Sequence, residues 1–315
     1  MNIVFFGSSN FAVSSLNSLL TSGHKVSCVV TQPDRQKGRG LHLEGTIIKT
    51  IALESNLKVY QPYNINAPEA IRLLEGLNPD LFVVIAYGQI LSPEILGIPK
   101  IFSVNIHASL LPKYRGAAPI NWAIIKGEKT TGITVIRMTQ GMDAGPIILQ
   151  KAVDISASDT AITLGERLSQ LAAQSLADAL SAIEQNDYKL IPQDEKKAAP
   201  APKLTKDDGQ IDWNKPAQDI HNLIRGCIAW PGAFTYYNSK LLKIYDAEII
   251  RLSDCQSVNI PGEIIKVSKE GIAVATRRDE LLIKELQIEG KRRMKAEEFI
   301  RGHKIYSGEI LGKNK

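Results

Sequence analysis

Short apolar runs separated by amphipathic stretches set the rhythm of the first 190 residues. "NIVFFG" ends in Gly7 and is followed by "SSNFAVSSLNSLLTSG", where Phe11, Leu16, Leu19 and Leu20 recur at helical spacing and Gly23 falls where a helix would close. "KVSCVVT" reads as a second strand. "DLFVVIAYG" is a continuous apolar run, the pattern of a strand covered on both faces, and "IFSVNIH" and "GITVIRM" follow it. Helical periodicity over residues 45–55, 66–76 and 160–186 alternates with these strands. The alternation predicts an α/β domain with a mainly parallel, Rossmann-like sheet.

After residue 190 the rhythm changes. "LIPQDEKKAAPAPKLTKDDG", residues 190–209, carries three prolines and mixed charges and reads as a linker. One helical stretch, "PAQDIHNLIRGC", then gives way to closely spaced runs: "GAFTYYN", "LLKIYDAEII", "GEIIKVS", "GIAVAT" and "ELLIKELQ". These predict a small OB-like β-barrel. The expected organisation is a first domain over 1–189, a linker over 190–209 and a C-terminal domain over 210–315.

Composition narrows the chemistry. A chain with 44% hydrophobic and 23% charged residues, no basic leader and no apolar run of membrane-spanning length is expected to be cytoplasmic, with no membrane partner. Cys28, Cys227 and Cys255 are widely spaced, and the five histidines form no close ligand pair, so neither a disulfide framework nor a metal is expected. "FFGSSNF" offers one glycine rather than G-x-G-x-x-G, which argues against a nicotinamide cofactor. Residues 1–209 hold 20 Lys+Arg against 19 Asp+Glu, and residues 210–315 hold 18 against 14. Four of the five net positive charges therefore lie in the last third, which suits a polyanionic partner as well as a plain solvated surface.

Asn105 and His107, two apart in "VNIH", share one face of their strand near the sheet edge where open α/β folds keep their sites. An amide and an imidazole can both donate to a developing oxyanion; taken alone, the pair equally describes a satisfied buried network. Asp143, in "TQGMDAGPI", would fix the imidazole if brought beside it, and is otherwise a turn aspartate.

Together, "NIHASLLPKYRGAAPINWAIIKGEKTTGITVIRMTQGMDAGPI" resembles the folate-dependent formyltransferases, and "TQPDRQKGRG", "VVIAYGQIL", "KLTKDDGQIDW" and "WPGAF" resemble further family segments in family order. The resemblance implies formyl transfer from 10-formyltetrahydrofolate to the amino group of initiator methionyl-tRNA; a monomer is expected. It implies Asn105, His107 and Asp143 as the catalytic set. Folate binding falls on Gly88, Gln89, Ile90 and Leu91 and on the S-L-L-P signature Ser109, Leu110, Leu111 and Pro112. For tRNA it points to the basic loop with Arg35, Lys37 and Arg39, joined by Arg277, Arg278, Lys291, Arg292 and Arg293 of the basic last third. Ser9 and Asn10 depart from the commoner family Pro and Asp, and "LHLEG" replaces a more basic segment. An amino sugar nucleotide formyltransferase shares the motif, and a folate-dependent hydrolase using water as acceptor is a more remote reading. A non-catalytic RNA-binding module would be expected to lack Asn105, His107 or Asp143.

Overall fold

A computed structural model describes residues 1–37, 42–252 and 260–312, and Arg39 and Cys255 lie outside them. The chain divides into two units. One comprises Met1–Pro119, Thr130–Asp154 and Gly165–Pro202; the other comprises Ile120–Lys129, Ile155–Leu164 and Lys203–Lys315.

The apolar runs of the first unit fold as read, with additions. β1 (Asn2–Gly7), α1 (Val13–Leu20) and β2 (Lys25–Val30) lead into a hairpin of β3 (Arg35–Lys37) and β4 (His42–Glu44). Next come α2 (Ile47–Glu54), β5 (Val59–Tyr60), α3 (Pro68–Gly76), β6 (Leu81–Ile85), α4 (Pro93–Leu96) and β7 (Phe102–His107). Thr46 caps α2 by accepting from Lys49 N–H, and Pro68 opens α3 where its missing N–H costs nothing. The chain continues through α5 (Pro119–Ile125), β8 (Thr130–Arg137), β9 (Ile147–Asp154) and the long α6 (Ala161–Glu184), of which α5 after Pro119 and α6 up to Leu164 group with the second unit.

The seven-stranded sheet has the order β5-β2-β1-β6-β7-β8-β9. Its first five strands are parallel, whereas β8 and β9 pair antiparallel. Strand order reverses between β1 and β6, which opens the crevice at their C-terminal ends where ligands of open α/β sheets bind. Beneath it Phe6 packs edge-on against Phe82 and Tyr87, with ring centroids 4.9 and 5.4 Å apart.

Residues 190–202 lie against this unit. Ile191 exchanges both backbone hydrogen bonds with Ile147, at 2.8 and 2.9 Å, and Ala199 and Ala201 bond the backbone of Arg115. The last of the chain's crossings from the first unit to the second falls at Pro202 and Lys203.

In the second unit, α7 (Ala217–Cys227) precedes β10 (Ala233–Tyr237), β11 (Lys240–Ile250), β12 (Ile264–Ser268), β13 (Gly271–Ala275), β14 (Glu280–Ile288), β15 (Met294–Lys295) and α8 (Ala296–Gly302). The strands form an antiparallel sheet, β10-β11-β14-β13-β12, with β15 on β14. Among the described residues no pairing joins β10 to β12, as in a partly open OB-like barrel. Ile220 and Ile224 of α7 and Phe299 of α8 fill its core with Leu242, Ile244, Ile283 and Leu286. No described helix is long and apolar enough to cross a membrane.

Candidate active site

β7 delivers Asn105 and His107 to one face, and the loop after β8 brings the carboxylate to meet them. That loop leaves beside Ser103, whose carbonyl accepts from Met138 N–H at 2.8 Å, and doubles back. Asn105 Nδ2 donates to Asp143 Oδ1 at 3.0 Å, and His107 Nδ1 lies 3.5 Å from Asp143 Oδ2. The imidazole and carboxylate side chains are only 7% and 13% exposed, so their interaction is poorly screened by water. Three groups distant in sequence thus converge.

His107 Nε2 sits 2.8 Å from the carbonyl oxygen of Tyr114. A carbonyl only accepts, so Nε2 carries a proton and Nδ1 is the nitrogen left to exchange one. Asp143 Oδ2 accepts a further bond from Gly116 N–H at 2.8 Å. Gly116 stands at φ +120°, and a Cβ there would come within 2.7 Å of the Ala201 carbonyl oxygen, so only glycine fits. Asp143 itself is left-handed at φ +51°, a conformation that costs a typical non-glycine residue about 1–2 kcal/mol.

The turn after His107 is braced from within. Thr134 Oγ1 donates to the Ser109 carbonyl at 2.6 Å and accepts from Leu111 N–H at 3.1 Å, while Gln150 Nε2 donates to the Leu111 carbonyl at 2.8 Å. Ser109 Oγ donates to the Lys113 carbonyl, and Ser109 and Leu111 are buried. The S-L-L-P stretch therefore shapes the backbone that carries Tyr114 and Gly116. Beyond β6, Gly88 is left-handed at φ +93° and Ile90 is 71% exposed, whereas Leu91 packs into the core. Gln89 turns inward, where its Oε1 accepts from Ile65 N–H and its Nε2 donates to the Pro62 carbonyl.

Arg35 donates to Gln32 Oε1, and Gln32 Nε2 donates to the Tyr87 carbonyl beside Gly88. Asp34 anchors the hairpin base: Gln61 and then Lys49 hydrogen-bond its carboxylate and hold it below the usual carboxylate range. Lys37 lies in β3. In the second unit Arg277, Arg278 and Lys291 are exposed. Among the described residues Arg277 and Arg278 have no ion-pair partner, whereas Arg292 pairs with Glu298, and Arg293 pairs with Glu285 and stacks over Tyr245 at 4.4 Å. A cavity of about 380 Å³ in that unit, lined by His221, Arg225, Tyr245 and Asp246 among others, holds none of the expected site residues.

Sequence reasoning misses the backbone partners, Tyr114 carbonyl and Gly116 N–H, because main-chain groups carry no residue signature. It also passes over Gln150 and Gln193.

The formyl transferase family pattern covers residues 1–180, and that of the formyl transferase C-terminal domain covers 203–304. The chain belongs to the formyl transferase family. Within it, the chain is similar to proteins named methionyl-tRNA formyltransferase: 47% identical to that of Alkaliphilus oremlandii over 99% of this chain and 100% of the relative, and 45% identical to that of Acetivibrio thermocellus over the same shares. Among solved structures, the sugar 3N-formyl transferase WlaRD superposes with a TM-score of 0.68 at 22% identity, covering 93% of this chain and 99% of that one. HypX from Aquifex aeolicus, solved in complex with tetrahydrofolic acid, superposes at 0.64 and 19% identity, over 95% of this chain and 47% of that one.

Proposed function

We propose that this chain transfers the formyl group of 10-formyltetrahydrofolate to the α-amino group of initiator methionyl-tRNA. The observation that carries the chemistry is the convergence of Asn105 and His107 on Asp143. A free α-amino group has a pKa of about 7.7–8.0, so much of it is protonated at neutral pH and must lose a proton before attacking. The ammonium form gives that proton to solvent, and Asp143, directly or through water, accepts the proton that the nitrogen sheds as it adds to the formyl carbon. As nitrogen adds to the formyl carbon, charge grows on the formyl oxygen, where the second N–H of the Asn105 amide and His107 Nδ1–H donate. Cleavage of the bond from that carbon to the folate nitrogen then needs a proton, and Nδ1 delivers it, because Nε2 is committed to Tyr114. The net change is one formyl group and one proton exchanged between two nitrogens.

The folate is read as lying against Gly88–Leu91 and the turn of Ser109, Leu110, Leu111 and Pro112. Two features support this reading: the left-handed Gly88 stands at the crevice where strand order reverses, and the exposed Ile90 offers an apolar face. For tRNA, the basic-loop residues Arg35, Lys37 and Arg39 are read as one contact, with Arg277, Arg278, Lys291, Arg292 and Arg293 as phosphate contacts. Arg277 and Arg278 carry most weight, since Arg292 and Arg293 already have carboxylate partners. Incubation with 10-formyltetrahydrofolate and either methionyl-tRNA or an amino sugar nucleotide tests the assignment. Formyl must appear on the tRNA; transfer to the sugar alone would replace this reading.

A further inference from the structure

A left-handed non-glycine residue persists only where its surroundings over-determine it, and Asp143 has such a constraint on its own carbonyl. Gln193 Nε2 donates to the Asp143 carbonyl oxygen at 2.7 Å and to that of Gly145 at 2.8 Å. The other end of the same amide, Oε1, accepts from Arg115 Nη2 at 2.7 Å and Nε at 3.1 Å. Glu195 grips the far edge of that guanidinium at 2.8 and 2.9 Å, and this bonding pushes the Arg115 pKa up and holds the Glu195 carboxyl below its usual range. Arg115 in turn precedes Gly116, whose N–H holds the Asp143 carboxylate. One side-chain amide therefore joins the backbone that carries the carboxylate to the backbone that binds it.

We propose that Gln193 is a positioning residue for Asp143, fixing the loop backbone so that the carboxylate faces Asn105 and His107; this rests on Asp143 being the proton acceptor. The neighbours dictate an amide. Carbonyl oxygens only accept and a guanidinium only donates, so the side chain between them must donate at one atom and accept at the other. Glutamate would serve Arg115 as well or better, yet it would set a carboxylate oxygen against two carbonyl oxygens.

That asymmetry makes the test. Gln193→Glu and Gln193→Ala are compared with wild type for kcat, for KM toward folate and tRNA, for folate affinity and for melting temperature. Gln193→Glu is expected to melt near the wild-type temperature and bind folate unchanged. Its kcat is expected to fall on the order of 10²-fold, the scale of a misplacement of about 1 Å. Gln193→Ala is expected to lose kcat as well. A role confined to holding Arg115 would be rescued by glutamate, so a folded Gln193→Glu protein with kcat within threefold of wild type overturns the proposal. Gln193→Met, neutral and of similar length, replaces either variant that fails to fold and is expected to show the same loss. Asp143→Ala is assayed alongside. Near-normal turnover there removes the catalytic reading itself, whereas a dead Asp143→Ala beside an active Gln193→Glu removes only the positioning role.

Discussion

Replacing Asn105 with alanine separates chemistry from binding. The Asn105 amide spends one N–H on Asp143 Oδ1 at 3.0 Å, and in the proposed mechanism the other is assigned to the formyl oxygen. Loss of one donor to a developing oxyanion costs about 2.7–4 kcal/mol, or roughly 10²–10³ in kcat. The stability cost is smaller. A hydrogen bond to a charged group is worth about 1.5–3 kcal/mol, and the low end applies because Asp143 retains the Gly116 N–H. At about 2–4 °C per kcal/mol for a unit of about 150–250 residues, the range of the first unit, its melting temperature should fall by about 3–6 °C. Single-turnover transfer of labelled formyl to methionyl-tRNA gives the rate, and calorimetry gives the folate affinity. The expected variant is folded, binds folate normally and is slow. Retention of more than a tenth of the wild-type rate refutes the donor role, and a loss of folate affinity as large as the loss of rate would reassign Asn105 to binding.

The two basic groups of the second unit should behave differently. Arg277→Ala and Arg278→Ala are each expected to weaken tRNA binding and to reduce the slope of log affinity against log salt by about 1, as read by filter binding. Arg292→Ala and Arg293→Ala, whose side chains already pair with Glu298 and Glu285, should each weaken binding less than Arg277→Ala or Arg278→Ala does; equal effects from all four would contradict the role given to the ion pairs. Burial pushes the Cys28 thiol up to about 11 and the Cys227 thiol up to about 12. Only the thiolate is nucleophilic, so both should resist iodoacetamide at pH 8 in the native Cys255→Ser protein, and rapid alkylation seen by mass spectrometry would show that they reach solvent.

Legibility in the sequence follows from what each element is made of. β1, β2, β6 and β7 announce themselves as apolar runs because both faces are covered, and Asn105 and His107 stand out against such a run. Strand direction does not: "GITVIRM" is equally apolar beside a parallel or an antiparallel neighbour, and the choice lies in backbone hydrogen bonding. β9 goes unread because only Ile147 of its eight residues is buried. Gln193 hides for another reason. It sits among prolines and charges, and two of its partners are carbonyls 48 and 50 positions earlier, which any residue type could supply. The S-L-L-P stretch is visible as a motif, but its bracing depends on Thr134 and Gln150, far along the chain.

The stitching of Ile191, Gln193, Ala199 and Ala201 onto the first unit sets a rule for grafting. A chimera spliced directly after α6 would discard the strip that braces the carboxylate loop, and would inherit a crippled core however well the transplanted barrel folded. A graft that keeps the brace has to retain the chain through Pro202, and a barrel transplanted from Lys203 onward has to bring Ile120–Lys129 and Ile155–Leu164 with it, because those segments belong to the second unit.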